Sequence, residues 1–375
     1  MNTRIPAAPS TAQSIWLVAE REIGSRLRSK AFVISTVILF VVALGAVVWG
    51  GFAAGTSNDL KIAVTSDTSS VVQDVDGLAV TDAASASAAI DLVENGDVEA
   101  ALIPTSEVPD ATAPASAPFD YTIVANDSAP SGLVSMLSES PAVHLLDPSS
   151  TDFLLRYFVA LGFGIVFLMA ASTFGGTIAQ SVVEEKQTRV VELLISAIPV
   201  RALLAGKVIG NTVLAMAQIL VLAAIAIVGL SVTGQDLVLT GLGGPLVWFA
   251  VFFLFGFILL ASLFAAAGAM VSRQEDIGST TAPLTILVML PYFLVIFFND
   301  NSLVLTIMSY VPFSAPVAMP LRLYLGEVLW WEPLLSLVVL IATCAAAIWV
   351  GSRIYSGSLL RMGARVKLSE ALSRA

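Results

Sequence analysis

The chain has 375 residues, of which 57% are hydrophobic and only 12% are charged, and its mean hydropathy is +0.89. This composition excludes an ordinary soluble globular protein. The formal net charge of -10 disfavours nucleic acid as a partner, and because Cys344 is the only cysteine, the chain can form no intrachain disulfide.

The chain opens with a polar lead, residues 1–30. From Ser14 to Lys30, apolar residues such as Val18 recur at helical spacing among charged residues such as Glu22 and Arg26. This pattern predicts a cytoplasmic amphipathic helix that lies in the inner membrane interface. A basic stop before a membrane span explains the same residues, so both interpretations stay open.

Six long apolar stretches follow, each close to the roughly 20 residues that a helix needs to cross about 30 Å of hydrocarbon. We therefore predict an all-α polytopic membrane protein with six transmembrane helices and an inserted small α/β extracytoplasmic domain. The first stretch, 31–54, exceeds the apolar core of about 7–15 residues in a signal peptide, which favours an uncleaved anchor over a cleaved signal. The predicted spans are Ala31–Ala54, Phe158–Ile178, Val208–Val232, Pro245–Val271, Thr280–Phe298 and Pro333–Gly351.

The basic residues predict the orientation of the chain. If both termini are inside, every Lys and Arg except Lys61, Arg156 and Arg322 lies on the cytoplasmic side, where short loops collect positive charge. We therefore expect a multi-pass protein of the plasma membrane, with a basic cytoplasmic tail at 353–375.

Between the first two spans the composition changes to Ala, Ser, Thr, Asp and Pro, and this segment holds more than half of the 28 acidic residues. We expect residues 55–151 to fold as the extracytoplasmic domain, with a loop rich in Pro and Ala at 109–118. His144 is the only histidine, so it has no second His for a metal site and we interpret it as structural. The predicted strands are Lys61–Val64, Leu78–Val80, Ala100–Pro104 and Tyr121–Val124, and the predicted helices are Ala83–Glu94 and Leu133–Leu137.

The other five spans, within residues 152–352, include an outer segment at 299–332. Its apolar run Leu303–Tyr310 is too short to cross the membrane, and three prolines after it would break a continuous helix. We expect this segment to return to the outer side as a re-entrant or interfacial hairpin. Arg322 and Glu327 either pair there or mark the aqueous boundary. The three prolines are Pro312, Pro316 and Pro320.

The most informative polar segment is the second cytoplasmic one, 181–207. Glu185 and Arg189 have the i,i+4 spacing of a helical ion pair, Glu192 adds a carboxylate on the same face, and Pro199 turns the chain. A short amphipathic helix here meets the physical requirements of an element that couples a soluble partner to the spans. A solvated loop explains the spacing equally well.

The same segment carries a resemblance to a known family. Its residues run Glu184-Glu185-Lys186-x-x-Arg189-x-x-Glu192-Leu193-Leu194-x-Ser196, followed by Pro199 and Leu204-x-Gly206-Lys207. This run resembles the signature loop of type-2 ABC exporter permeases, in particular the sodium-efflux permease-like branch with a large extracytoplasmic domain.

The resemblance implies a membrane-spanning permease subunit of an ATP-driven ABC exporter, without enzymatic activity of its own. It implies a homodimer, or a pair with a paralogous permease, in the lipid bilayer together with two copies of an ABC ATP-binding subunit. ATP and Mg would bind that subunit, and this chain would bind no cofactor. Coupling to the subunit would fall to Glu184, Glu185, Arg189 and Glu192.

The substrate stays unidentified among sodium, a drug, a peptide and a lipid-like molecule. Gly206-Lys207 is followed by Val208, so it is no phosphate loop, and no Gly-x-Ser-x-Gly elbow occurs. Gly206 and Gly210 suit close helix contact, either within one subunit or across a dimer. The alternative function is a membrane-anchored sensor or docking protein with a ligand-binding extracytoplasmic domain, which predicts no bound ATPase.

Overall fold

The computed structural model describes residues 10–55, 60–73, 75, 77–108, 119–126, 131–137, 153–188, 190–233 and 236–358. Arg189, the loop 109–118, His144 and most of the basic tail lie outside these ranges. The chain divides into two compact units, one of residues 1–51 and 149–375 and the other of residues 52–148.

The described helices of the first unit are α1 (Thr11–Arg28), α2 (Lys30–Gly55), α6 (Phe153–Gln187), α7 (Val190–Ala197), α8 (Val200–Val232), α9 (Asp236–Met270), α10 (Ile277–Phe297), α11 (Ser302–Tyr310), α12 (Ala315–Leu325) and α13 (Glu332–Ser358). Six of them, α2, α6, α8, α9, α10 and α13, are long and apolar enough to cross a membrane. This confirms the predicted fold class.

Helix α6 is much longer than the predicted span, which ended at Ile178. The segment from Ala179 to Gln187 contains no proline or glycine, so the helix continues. Its 35 residues extend over about 50 Å, whereas the hydrocarbon layer is about 30 Å thick. The C-terminal turns of α6 therefore reach beyond the apolar layer.

Helix α9 is the centre of this unit and packs against α6, α8, α12 and α13. Three phenylalanines of α6 contact three of α9, with ring centroids 4.9–5.9 Å apart. Those of α9 recur every four residues, so their rings lie on one face of the helix. The three pairs are Phe163–Phe249, Phe167–Phe253 and Phe174–Phe257.

Helices α11 and α12 form the hairpin in the segment 299–332. Every residue of α12 from Ala315 to Arg322 is buried. The ring of Pro316 lies against Gly256, near the middle of α9, and a Cβ at that glycine would be 2.5 Å from the proline Cγ. The tip of the hairpin thus reaches the level of the middle of a spanning helix.

The predicted interruption of the helix occurs, but only one of the three prolines lies in it. Pro316 lies in the first turn of α12, where its missing N–H has no helical partner to lose, and Pro320 lies inside the helix. The break falls at residues 311–314 and includes Pro312.

The second unit contains a four-stranded sheet in the order β2-β1-β3-β4. Strand β1 is parallel to β2 and β3, whereas β4 is antiparallel to β3. The strands lie where the sequence predicted them, and the helix predicted from Ala83 begins at Ala86 because Ser85 caps it. The elements are β1 (Leu60–Val64), α3 (Ser69–Val72), β2 (Leu78–Asp82), α4 (Ala86–Glu94), β3 (Ala100–Pro104), β4 (Tyr121–Val124) and α5 (Ser131–Leu137).

Candidate functional site

Helix α1 packs against the beginning of α8 through two glycines. A Cβ at Gly206 would lie 2.5 Å from Cβ of Val18, and a Cβ at Gly210 would lie 2.9 Å from the carbonyl oxygen of Ala19. The glycines are four residues apart, so they share one face of α8 and let the two backbones approach closely. These small residues therefore serve contact within the subunit.

A cluster of charges with a buried centre joins α1 to α6 and α8. The Lys207 side chain is fully buried, and its Nζ lies 2.8 Å from Oε1 of Glu22 and 3.0 Å from Oε1 of Glu185. Lys207 also donates a hydrogen bond of 2.6 Å to the Ser181 hydroxyl. Arg21 pairs with Glu185 and lies 3.3 Å from Glu22. We call Arg21, Glu22, Glu185 and Lys207 the ion cluster.

The charges of the ion cluster stabilise one another. Burial raises the pKa of Glu22, but the attraction of Lys207 and Arg21 outweighs it and holds this pKa below its ordinary value. Burial lowers the pKa of Arg21, but Glu185 and Glu22 raise it above the ordinary value. Both groups are therefore charged at neutral pH, and three helices meet at this cluster.

The structure does not test the predicted pair of Glu185 with Arg189, but it shows other partners for Glu185. Its carboxylate contacts Arg21 and Lys207, which lie far from it in sequence, and Arg189 is outside the described residues. Helix α6 continues through Glu185, so this residue belongs to a long helix and not to a separate loop.

Lys186 is buried, although it belongs to the segment 181–207 for which a solvated loop was one of the two interpretations. Its Nζ donates to the carbonyl oxygens of Ala269, at 2.9 Å, and Ser358, at 3.0 Å. These carbonyls lie at the C-terminal ends of α9 and α13, where a cation is favourable. One lysine of α6 therefore ties together the ends of three helices.

Glu184, by contrast, is exposed near the end of α6. Its Oε1 accepts hydrogen bonds from Gln180, at 3.0 Å, and from Gln274, at 3.3 Å. The second bond links α6 to the turn that follows α9.

The short helix α7 presents a mixed polar and apolar face to the surroundings. Val191 is only 2% exposed and anchors the helix, whereas Leu193 is 73% exposed. Glu192 is exposed beside it. Of the four residues predicted to couple to a partner, the structure thus places Glu184 and Glu192 on the surface and Glu185 in the ion cluster.

A second polar cluster lies around the hairpin. Arg322 is 4% exposed, pairs with Glu332 at 2.8 Å and donates to the backbone oxygen of Glu327 at 2.9 Å. The carboxylate of Glu327 instead pairs with Arg156 at 2.8 Å. Arg322 and Glu327 therefore form no side-chain pair, and the interpretation of Arg322 as a marker of the aqueous boundary stays a prediction.

Within the described part of the chain, no group of three or more His, Cys, Asp or Glu residues is placed to hold a metal ion. The ion cluster holds a lysine between its two carboxylates. Its chemistry is that of a contact between helices.

Comparison with known proteins gives one family and two relatives. The family described as "ABC-2 family transporter protein" matches residues 30–353. The uncharacterized protein YhaP of Bacillus subtilis is 27% identical over 218 residues, covering 53% of this chain and 52% of YhaP. The uncharacterized protein MJ1024 of Methanocaldococcus jannaschii is 27% identical over 210 residues, covering 55% of this chain and 51% of MJ1024. The chain thus spans about half the length of these relatives. No solved structure gives a significant match.

Proposed function

Because the chain belongs to the ABC-2 family of transporter proteins, we propose that it is the permease subunit of an ATP-driven exporter. In this proposal a separate ABC ATP-binding subunit, present in two copies, hydrolyses ATP with Mg. The permease works as a homodimer or with a paralogous permease and performs no hydrolysis itself. The substrate class is left open among sodium, drugs, peptides and lipid-like molecules.

The observation that carries the proposal is the position of α7. This helix exposes Glu192 and Leu193 and lies between two spanning helices, α6 and α8, with only two residues before it and two after it. Such short connections leave little slack. A partner that pushes on α7 would therefore move the ends of α6 and α8.

The ion cluster supports this coupling role in a second way. It joins α6 and α8 to α1, so the three helices would move as one body when α7 is displaced. We propose that Glu184 and Glu192 contact the ATP-binding subunit, and that Glu185 acts as a positioning residue inside the ion cluster. The coupling role of Arg189 stays a prediction.

Reversing one exposed charge tests the proposal. The tagged chain is purified in mild detergent from its native host, as wild type and as Glu192→Arg, and copurifying ATPase is measured. We expect an ATP-binding subunit to copurify with the wild type. The amount that copurifies with Glu192→Arg should be about tenfold lower, as for loss of an interface hot spot. Glu275→Arg is the control because it reverses a similarly exposed carboxylate, 71% exposed, outside α7.

If the ATP-binding subunit copurifies with Glu192→Arg as well as it does with the wild type, the proposed role of Glu192 is contradicted. If no ATPase copurifies with the wild type, the exporter proposal fails and the sensor or docking alternative takes its place.

We also propose that both termini are cytoplasmic, which places residues 55–151 outside. The basic residues support this orientation. In a chain with Cys344→Ala, single cysteines at Ser10 and Ser66 are labelled in intact cells with a reagent that does not cross membranes. Only Ser66→Cys should react, and labelling of Ser10→Cys alone would invert the topology.

A further inference from the structure

A cavity of about 750 Å³ opens between α8, α9 and α13. It is separate from the ion cluster and from the polar cluster at the hairpin. Its walls are apolar over most of their length, and its volume lies within the range of roughly 300–1,000 Å³ found for small-ligand sites. Leucine, isoleucine and valine side chains of α8 and α9 form much of the wall. These residues are Leu204, Val208, Ile209, Leu254 and Ile258.

The charged groups of this cavity gather at one end. Arg201 lies in the first turn of α8, and Arg353 lies in the last two turns of α13. The guanidinium of Arg353 is 4.4 Å from the ring centroid of Trp349, a distance that allows a cation–π interaction. Ser352 completes this end. The opposite end reaches Leu254, near the middle of α9.

The depth of the cavity matches one leaflet of a bilayer. The residues of α8 that line the cavity run from Arg201 to Val213, about 18 Å along the helix, and the hydrocarbon of one leaflet is roughly 15 Å thick. A ligand aligned with the helices would thus place one end among the arginines at the membrane surface and the other near the midplane. Trp349 stands where tryptophan is favoured, at the boundary between lipid and water.

The two arginines carry charge that the described part of the chain does not neutralise. Arg21, Arg156, Arg273 and Arg322 each have a carboxylate within ion-pair distance. Neither Arg201 nor Arg353 has such a partner among the described residues, and both are exposed. Their guanidinium groups are therefore available for an anion, and arginine binds phosphate through two parallel hydrogen bonds.

We propose that α8, α9 and α13 form a binding site for a phospholipid with an anionic headgroup, drawn from the inner leaflet in the orientation proposed above. The headgroup phosphate contacts Arg201 and Arg353, and an acyl chain fills the apolar part. A free phosphate would leave the apolar walls uncovered, and a lipid without net charge would leave the arginines uncompensated. The proposal does not depend on which substrate the protein exports.

The test measures lipid binding to the purified full-length chain in mild detergent by native mass spectrometry. The probes are dioleoylphosphatidylglycerol, dioleoylphosphatidylcholine and glycerol 3-phosphate. We expect the anionic lipid to bind more tightly than the neutral one. The double variant Arg201→Gln/Arg353→Gln should lower its affinity about 30-fold, as for two basic residues at a membrane surface.

Two further variants separate charge from shape. Arg28→Gln/Arg273→Gln removes the same charge from exposed positions outside the cavity and should keep wild-type affinity. Ala345→Trp fills the cavity while both arginines remain, and should weaken the lipid but not glycerol 3-phosphate. Elution of every variant as a single species in size exclusion shows that it is folded.

Equal affinity for the two lipids would overturn the proposal. It would also be overturned if the control double variant lost as much affinity for the anionic lipid as Arg201→Gln/Arg353→Gln does. Binding of glycerol 3-phosphate as tight as that of the anionic lipid would reduce the site to a simple anion site. That outcome also refutes the proposal, because it leaves the apolar cavity without a role.

Discussion

Lys207 shows how a single buried charge organises the packing of three helices. The sequence analysis treated it as part of a basic segment, because its partners Glu22 and Glu185 are distant in the chain. One local signal was available, since Lys207 lies among apolar residues of α8 and a charge there requires a partner. Which carboxylates provide it depends on how α1 and α6 pack, and spacing within one segment does not contain that information.

Replacing Lys207 should be strongly destabilising. Lys207→Met leaves two carboxylates in the ion cluster with only Arg21, and breaking a buried ion pair in this way costs about 3–5 kcal/mol. We expect a clearly lower Tm in detergent, measured by intrinsic fluorescence on heating. Arg273→Met, in an ion pair whose members are 73% and 71% exposed, should change Tm little.

A double variant tests whether Glu22 and Lys207 interact or whether each substitution destabilises the fold independently. Glu22→Gln/Lys207→Met removes one charge of each sign, so it should be less destabilised than the sum of the two single variants. Strict additivity of the two effects would show that Glu22 and Lys207 do not interact.

At the scale of elements, helix boundaries followed from the sequence better than helix contacts did. The strands of the second unit lie within two residues of their predicted bounds, and all six spans occur in the predicted order, because short apolar runs and apolar length are local properties. The overlong α6 could have been predicted from the absence of a breaker before Gln187. The position of Pro320 inside α12 could not, since the packing of neighbouring helices decides whether a proline is tolerated.

Contact between α1 and α8 should depend on the small size of Gly206. In Gly206→Leu the side chain would overlap Val18, which forces α1 away from α8 and makes the chain at the half-buried Arg26 accessible to trypsin. Overpacking of this kind costs about 1–3 kcal/mol, so we expect cleavage within α1 to be at least several-fold faster than in the wild type.

The matched control is Gly162→Leu, because no atom lies within 4 Å of a Cβ at that helical position. Its cleavage rate should equal that of the wild type. Unchanged protection of α1 in Gly206→Leu would mean that α1 is held by the ion cluster alone.

At the scale of the whole molecule, charge and hydropathy predicted a polytopic chain with an inserted α/β unit, and the signature segment pointed to the right family. Charge and hydropathy could not predict where the carboxylates of this segment point. Glu184, Glu185 and Glu192 lie close together in sequence, yet Glu185 is partly buried and the other two are exposed. The partial burial of Glu185 depends on its contact with α1, which begins more than a hundred residues earlier.

Helix α6 continues without interruption up to Gln187, so the number of residues between Ser181 and α7 is constrained. In an α-helix one additional residue turns everything after it by about 100° and advances it by 1.5 Å. The direction in which Glu192 and Leu193 face is therefore set by the number of residues between Ser181 and Val190 as well as by their identity. Exposed positions such as Gln187 can change in chemistry, but an insertion or a deletion there would rotate α7 away from whatever it meets.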